Sequence, residues 1–224
     1  MKTQVVIIGG GPSGLLLSQL LMKSGIQTTI IEKQSRNHVL NRIRAGIIEP
    51  HSVKLLNQAG IGDRIVKEGQ VHSGTVISSG DRSFRIDFEK TTRQSVTVFG
   101  QTEITRDLYT SQDKANATIF HKIKDVELGD LYEKYPSVHF ELESGTRTSI
   151  KADFIIGCDG FHGVSRNSIP NNTKRIYEKI YPFGWLGILS ETPPVNKELI
   201  YSNSPSGFAL ASMRNKNLSR YYIQ

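Results

Sequence analysis

Gly9, Gly11 and Gly14 fall in the spacing G-x-G-x-x-G, directly after the apolar run TQVVII and at the head of GLLLSQLLM. Each glycine answers a steric need. Gly9 permits a tight turn, Gly11 lets a pyrophosphate approach the backbone, and Gly14 lets a helix pack on the strand. The helix start adds unpaired N–H groups and the positive end of its dipole for the phosphates. Glu32 closes the second apolar run, where an acid hydrogen-bonds ribose hydroxyls. Strand, helix and acid together favour a dinucleotide site over a glycine turn without a ligand.

Two further clusters carry positive charge. Arg42 and Arg44 stand two residues apart in NRIRAGI, so in extended chain they point the same way. Two guanidiniums on one side suit a diphosphate; the alternative is a surface pair. After the strand-like ADFIIG comes CDGFHGVSR, a second glycine turn. There His162 and Arg166 are spaced i, i+4 and are expected to share a helical face. Such a pair could hold another phosphate or could be a surface feature.

The last stretch, GFALASMRNKNLSRYYIQ over residues 207–224, reads as a hairpin with its turn at NKNL. On the outgoing strand Phe208, Leu210, Ser212 and Arg214 share one face, and Ala209, Ala211 and Met213 the other. On the return strand Arg220, Tyr222 and Gln224 share a face. If register joins these faces, Ser212, Arg214 and Tyr222 converge. No carboxylate lies on this hairpin, and a buried unpaired arginine is expensive. A ligand carboxylate would satisfy Arg214 through paired N–H···O bonds, with the hydroxyls of Ser212 and Tyr222 completing the site. A solvated edge, or a partner elsewhere in the chain, is the alternative.

The elements that position these residues follow from the pattern. The first strand begins at Thr3 as a continuous apolar run, as in a strand buried on both faces. A helix carries Leu15, Leu16, Gln19, Leu20 and Lys23 and ends at Gly25. PHSVKLLNQAGIGDRIVKEG is helical with breaks at its glycines. Residues 70–99 alternate in short strands, and a helix starts near Thr102. VHFELESG and TSIKADFIIGCDG are strands, and from Phe183 onward four runs read as an antiparallel meander. No internal repeat or low-complexity segment interrupts them.

The 224 residues are 37% apolar and 22% charged, ordinary for a soluble globular chain. The longest apolar run, Gly14–Met22, is short of a membrane span, and no signal peptide precedes the first strand. A single cysteine, Cys158, excludes an internal disulfide framework and fits a reducing cytosol. The net charge of +7 comes without a nucleic-acid-binding module, which leaves a solvated basic surface or a field that attracts small anions. No residue is assigned to a metal.

GGGPSG, Glu32, RIRAG, IIGCDGFHGVSR, YPFGWLG and SGFALASMRNKNLSRYYIQ together resemble the flavin-dependent aromatic hydroxylases, in order and over the whole chain. The resemblance implies an α/β fold, a Rossmann-like FAD-binding layer with a βαβ start interleaved with an antiparallel β-sheet substrate part. The expected division is 1–70 and 100–180 for FAD, with 71–99 and 181–224 for substrate. It implies FAD held by Gly9, Gly11, Ser13, Gly14, Glu32, Arg42, Arg44, Ala45, Gly46, Ile47, Gln101 and Asp159, with Arg220 influencing flavin placement. It implies NADPH, bound transiently near Lys33, Arg36, His38, His162 and Arg166.

The implied reaction is hydroxylation of 4-hydroxybenzoate to 3,4-dihydroxybenzoate with NADPH and O2, through a flavin C4a-hydroperoxide. Ser212, Arg214 and Tyr222 would bind the carboxylate, Tyr201 the phenol, and His72 would serve a proton path to solvent. A cytoplasmic enzyme, with a homodimer compatible, follows from the same resemblance. Members of this family continue beyond the point where the sequence stops, so the chain is expected to be the N-terminal part of a longer enzyme and inactive alone. Two other readings stand beside it: a flavoprotein hydroxylase of another phenolic acid, and a non-catalytic nucleotide-binding module. A nicotinamide-only dehydrogenase is more distant, because the chain after Glu32 does not continue βαβαβ.

Overall fold

The computed structural model describes residues 1–224. The chain runs β1 (Lys2–Ile8), α1 (Pro12–Lys23), β2 (Thr28–Ile31), α2 (Arg36–Asn41), β3 (Ile47–Ile48), α3 (Pro50–Ala59) and α4 (Asp63–Glu68). It continues with β4 (Gln70–His72), β5 (Gly74–Ser79), β6 (Arg82–Asp87), α5 (Phe88–Thr92), β7 (Val96–Val98), α6 (Gln101–Lys114), β8 (Thr118–Phe120) and β9 (Lys124–Gly129). The last elements are β10 (Ser137–Glu141), β11 (Arg147–Gly157), α7 (Val164–Asn167), β12 (Leu186–Ser190), β13 (Leu199–Ser204), β14 (Gly207–Asn215) and β15 (Leu218–Ile223). They form two compact units, Met1–Arg44, Gln58–Ile61 and Gln101–Tyr177 in one, Ala45–Asn57, Gly62–Gly100 and Glu178–Gln224 in the other. Residues 45–57 and 62–70, expected with the nucleotide layer, group with the second unit.

The first unit is built on a sheet of order β8-β2-β1-β11-β10-β9. Strands β8, β2, β1 and the second half of β11 run parallel, and β10 and β9 are antiparallel. Val6 and Ile7 point to opposite faces of β1 and both are 0% exposed, so the strand is covered on both sides. On one side Val6, Ile8 and Ile31 join Val138, Phe140 and Ile150 in an apolar cluster. On the other, α1 and α6 pack together, with Leu15, Leu108 and Tyr109 buried. A buried polar net fixes that side. Ser18 Oγ meets Thr28 Oγ1 at 2.6 Å, and Gln112 Nε2 donates to the Leu15 carbonyl at 3.2 Å.

The second unit holds a sheet of order β12-β15-β14-β13-β5-β6 and a small β3-β7-β4 sheet. Its C-terminal strands are not a simple meander. Only β13, β14 and β15 follow one another; β12 lies beyond β15, the order of a Greek key. β13 also pairs in parallel with β5, a long-range partner that a meander reading from local alternation does not contain. Two short helices are likewise absent from the hydrophobic pattern, and side-chain caps explain both. Ser35 Oγ accepts from His38 N at 3.1 Å to start α2, and Asp87 Oδ1 accepts from Lys90 N at 2.9 Å to start α5.

Two outcomes are expected from this architecture. A Cβ at Gly14 would collide with the Gly9 carbonyl oxygen, which belongs to backbone and cannot swing aside. Gly14→Ala is therefore expected to cost about 3 kcal/mol in urea denaturation. A loss below about 1 kcal/mol would mean that α1 shifts freely on β1. The second concerns His72, only 4% exposed on β4. Burial pushes its pKa below the ordinary value, against a smaller upward pull from Glu198. A histidine with a depressed folded pKa binds its proton first in the unfolded chain. Its stabilising contribution is thus full above about pH 6.5 and is lost as the pH falls below that. Unfolding midpoints measured between pH 7 and 5 are expected to fall less steeply for His72→Gln than for the native sequence. Equal slopes would show that His72 does not carry this dependence.

Candidate functional site

The turn between β1 and α1 is a backbone cradle. Gly9 has φ of +105°, and a Cβ there would strike the Cys158 carbonyl on the neighbouring strand end. At Gly11 a Cβ would meet only Arg44 Nη2, at 4.0 Å, so that side is open. Gly11 caps α1 without a side chain, and Pro12 follows with no N–H. The first-turn N–H groups of Ser13 and Gly14 are therefore presented to an anion rather than to a capping hydroxyl.

A cavity of about 540 Å³ opens here, within the range of small-molecule sites. Gly9, Gly11, Ser13, Glu32, Lys33, His38, Arg42, Arg44, Gln101, Asp159 and His162 all line it. The sequence argument thus brings most of its nucleotide residues to one place. Gly14 does not line it; it closes the packing behind the loop.

Charge in the cavity is cationic on balance. Glu32 uses both oxygens on the backbone, Oε2 accepting from Gly10 N and Oε1 from Gln34 N, each at 2.7 Å. Asp159 is likewise occupied: Oδ2 accepts from Ser165 N at 2.9 Å and from Ser165 Oγ at 3.0 Å. Arg44 has its pKa lowered by burial and by Arg42 beside it. Its Nη1 donates to the Val39 and Arg42 carbonyls at 3.3 and 3.4 Å. A diphosphate between Arg42 and Arg44 would relieve that repulsion. The donors, the open face of Gly11 and the cations fit the pyrophosphate of a dinucleotide.

Other expected residues lie elsewhere. Helix α7 spans only Val164–Asn167, so His162 and Arg166 do not share a helical face. The glycine turn ends at Gly163, where Asp159 fills the space a Cβ would need, and His162 stays in the turn. The two instead flank Phe161, His162 edge-on at 5.0 Å and Arg166 over the ring at 4.2 Å. Arg166 lines a neighbouring cavity of about 650 Å³ with Ser13, Cys158 and Asp159. Arg36 lines neither cavity; it is paired with Asp113 through Nη1–Oδ1 at 2.9 Å and Nη2–Oδ2 at 2.5 Å. Ala45, Gly46, Ile47 and Arg220 belong to the second unit. Sequence reasoning missed Ile123 and Val126 on the cavity wall, and Tyr109 and Gly10 behind it. The glycine run flagged Gly10; nothing local flags the others.

In the second unit, register assembles one polar and aromatic face. Tyr201 pairs with Leu210, Leu210 with Tyr222, and Ser212 with Arg220. Trp185 stands 5.3 Å from Phe208 and 5.6 Å from Tyr222, ring to ring. Ser212 Oγ donates to the Arg220 carbonyl at 3.3 Å. Arg220 is 9% exposed and lies 4.4 Å over the Tyr222 ring. Arg214 follows the bulge after Met213, and its guanidinium occupies the space a side chain at Gly46 would take. Burial first, then Arg220, lowers its pKa; Tyr222 alone acts the other way and no carboxylate contributes. His72 Nε2 is buried with no hydrogen-bond partner.

Comparison with known proteins agrees with this geometry. Residues 2–224 match the family model described as FAD binding domain. The chain is 50% identical to p-hydroxybenzoate hydroxylase of Acinetobacter baylyi, across 100% of this chain and 55% of that protein. It is 25% identical to 6-hydroxy-3-succinoylpyridine 3-monooxygenase HspB of Pseudomonas putida, across 76% of this chain and 44% of that one. The chain thus spans about half the length of the curated relatives it matches. Among solved structures, PqsL of Pseudomonas aeruginosa with 2-aminobenzoylacetate superposes with a TM-score of 0.83 at 16% identity, over 100% of this chain and 60% of that one. p-Nitrophenol 4-monooxygenase PnpA of Pseudomonas putida gives 0.78 at 19% identity, over 100% and 58%. No helix is long and apolar enough to cross a membrane. With a glycine cradle, a cationic cavity and a family match from residue 2 to residue 224, the chain belongs to the FAD-binding-domain family.

Proposed function

We propose that this chain is the FAD- and substrate-binding part of an NADPH-dependent flavoprotein hydroxylase that converts 4-hydroxybenzoate to 3,4-dihydroxybenzoate. The observation that carries the reading is Arg214, a half-buried guanidinium with no carboxylate among the groups that act on it. It is at the end of a sheet face that also bears Ser212, Tyr222 and Tyr201. A benzoate carboxylate supplies the missing anion, and the aromatic side chains accept its ring. The likeness to p-hydroxybenzoate hydroxylase supports the same choice of substrate.

FAD is held by the glycine cradle with Ser13, Glu32, Arg42, Arg44, Gln101 and Asp159, and when bound it supplies the redox chemistry that makes O2 react with an aromatic ring. The chain's own residues handle the substrate. Arg214, Ser212 and Tyr222 fix the carboxylate. Tyr201 donates to the substrate phenol oxygen, which favours the phenolate, the electron-rich form that attacks an electrophilic oxygen. His72, kept neutral by burial, accepts the phenol proton and passes it toward solvent. Arg220 sits over Tyr222 and influences the placement of the flavin. Lys33, His38 and His162 are the cations for a transient NADPH, and a cytosolic setting suits the single cysteine.

The direct test is an assay of the native protein from its source with FAD, NADPH, O2 and a panel of phenolic acids. Release of 3,4-dihydroxybenzoate is the expected product. Turnover of a different acid only would replace the substrate, and bound FAD with no substrate-stimulated NADPH oxidation would reduce the reading to nucleotide binding. Arg214→Lys is expected to weaken 4-hydroxybenzoate binding by about 2–5 kcal/mol, because a forked contact becomes a point charge. Unchanged affinity would remove Arg214 from the site. Tyr201→Phe is expected to leave NADPH oxidation in place but release hydrogen peroxide instead of hydroxylated product. Full coupling in that variant would exclude the role given to its hydroxyl.

A further inference from the structure

The cavity wall accounts for Glu32 and the arginines but not for a cluster centred on one buried tyrosine just behind the glycine loop. Tyr109, on α6, is 1% exposed. Its hydroxyl lies 3.3 Å from the Gly10 carbonyl oxygen and 3.1 Å from His121 Nε2. The Arg36 guanidinium, doubly bonded to Asp113, covers the tyrosine ring at 4.6 Å. None of Arg36, Tyr109, Asp113 or His121 lines the cavity.

Gly10 is the middle residue of three consecutive glycines, a stretch with more backbone freedom than any other composition allows. Such a loop binds an anion well only if its peptides are held in one orientation. The Gly10 N–H is held by Glu32. The Gly10 carbonyl has only Tyr109 as its side-chain partner. In a trans peptide the carbonyl of Gly10 and the N–H of Gly11 point in opposite directions. Fixing the carbonyl on Tyr109 therefore turns the Gly11 N–H away from Tyr109, and Gly11 is the residue that lines the cavity.

The tyrosine has one proton and two neighbours that could take it. If His121 carries its hydrogen on Nε2, it donates to the Tyr109 oxygen, and the tyrosine proton is free for the Gly10 carbonyl. With the hydrogen on Nδ1, Nε2 takes the tyrosine proton and the Gly10 carbonyl is left unpartnered in a buried site, which is costly. The Nε2–H tautomer satisfies all three groups. Burial, with the charge of Glu32 adding to it, pushes the Tyr109 hydroxyl up to about 12, so it stays a donor. Burial also lowers His121, with Glu32 and Asp113 opposing and Arg36 reinforcing.

We propose that Tyr109 is a positioning residue for the pyrophosphate loop, with His121 setting the direction of its hydroxyl proton. The inference rests on the FAD reading. It assigns Arg36 and Asp113 to covering Tyr109 rather than to contact with a nucleotide.

Tyr109→Phe keeps the ring and its contact with Arg36 and removes only the hydroxyl. In the apoprotein it is expected to move the Gly11 amide nitrogen resonance, which reports the hydrogen bond on the preceding carbonyl. FAD titration by fluorescence quenching is expected to show roughly 3- to 10-fold weaker binding, with the thermal midpoint of the apoprotein held. His121→Leu should reproduce both effects, whereas His121→Gln, which keeps a donor, should restore near-native affinity. Native FAD affinity with an unmoved Gly11 resonance in Tyr109→Phe would overturn the proposal. So would equal loss in the leucine and glutamine variants, which would reveal a packing role only. If Tyr109→Phe fails to fold, the two His121 variants decide. If the native protein does not bind FAD, the FAD reading fails, and the Gly11 resonance still tests the loop geometry by itself.

Discussion

The first unit depends on backbone approaching backbone at the ends of its parallel strands. Gly9 and Gly14 leave no room for a Cβ, because the Cys158 carbonyl and the Gly9 carbonyl occupy the space. That approach sets where α1 begins and so where its unpaired N–H groups point. It also brings the carboxyl ends of β1, β2 and β11 to one rim, on which Gly9, Glu32 and Asp159 stand. Ligands bind outside the carboxyl ends of strands in open α/β sheets, and here the cavity is placed accordingly. The carboxylates on that rim are spent on backbone N–H groups, and what remains facing the cavity is positive.

The two units share an electrostatic habit. In each, an arginine is partly desolvated beside another arginine: Arg44 near Arg42, Arg214 near Arg220. Both have lowered pKa values from burial first and like charge second. Elsewhere on the surface Arg64 pairs with Glu68, Arg106 with Glu103, and Lys122 with Glu143. The two arginine pairs lie at the candidate sites, where an anion of matching shape would ease the like-charge repulsion: a diphosphate for Arg42 and Arg44, a carboxylate for Arg214.

Legibility in the sequence followed the range of the interaction. The glycine cradle, Glu32 and the first βαβ turn are encoded within a few dozen consecutive residues, so motif and structure coincide. The hairpin faces of β14 and β15 were readable because strand alternation and the NKNL turn are local, and the register joins Ser212 with Arg220. The Greek-key order was not, since it rests on β12 pairing with β15 across the intervening hairpins, and neither was the β13–β5 pairing, which joins residues more than a hundred apart. Tyr109 sits at an apolar-looking helix position, and its contact with Gly10 spans 99 residues. The helical face expected to be shared by His162 and Arg166 is absent for a different reason. The i, i+4 rule holds only inside a helix, and α7 begins after His162.

His72 lies near a surface ion-pair network but is set chiefly by its own burial. Arg85 holds Glu198 through Nε–Oε2 at 2.6 Å and Nη2–Oε1 at 2.7 Å, and also binds Asp87 and Ser73. These bonds keep the Glu198 carboxyl below its ordinary range, so it stays ionised. An ionised acid near His72 would by itself favour imidazolium. Burial remains the larger influence on the imidazole. His72 Nε2 is left buried and without a hydrogen-bond partner. A buried orphan nitrogen costs stability, and the fold tolerates it on β4, at the edge of the small sheet.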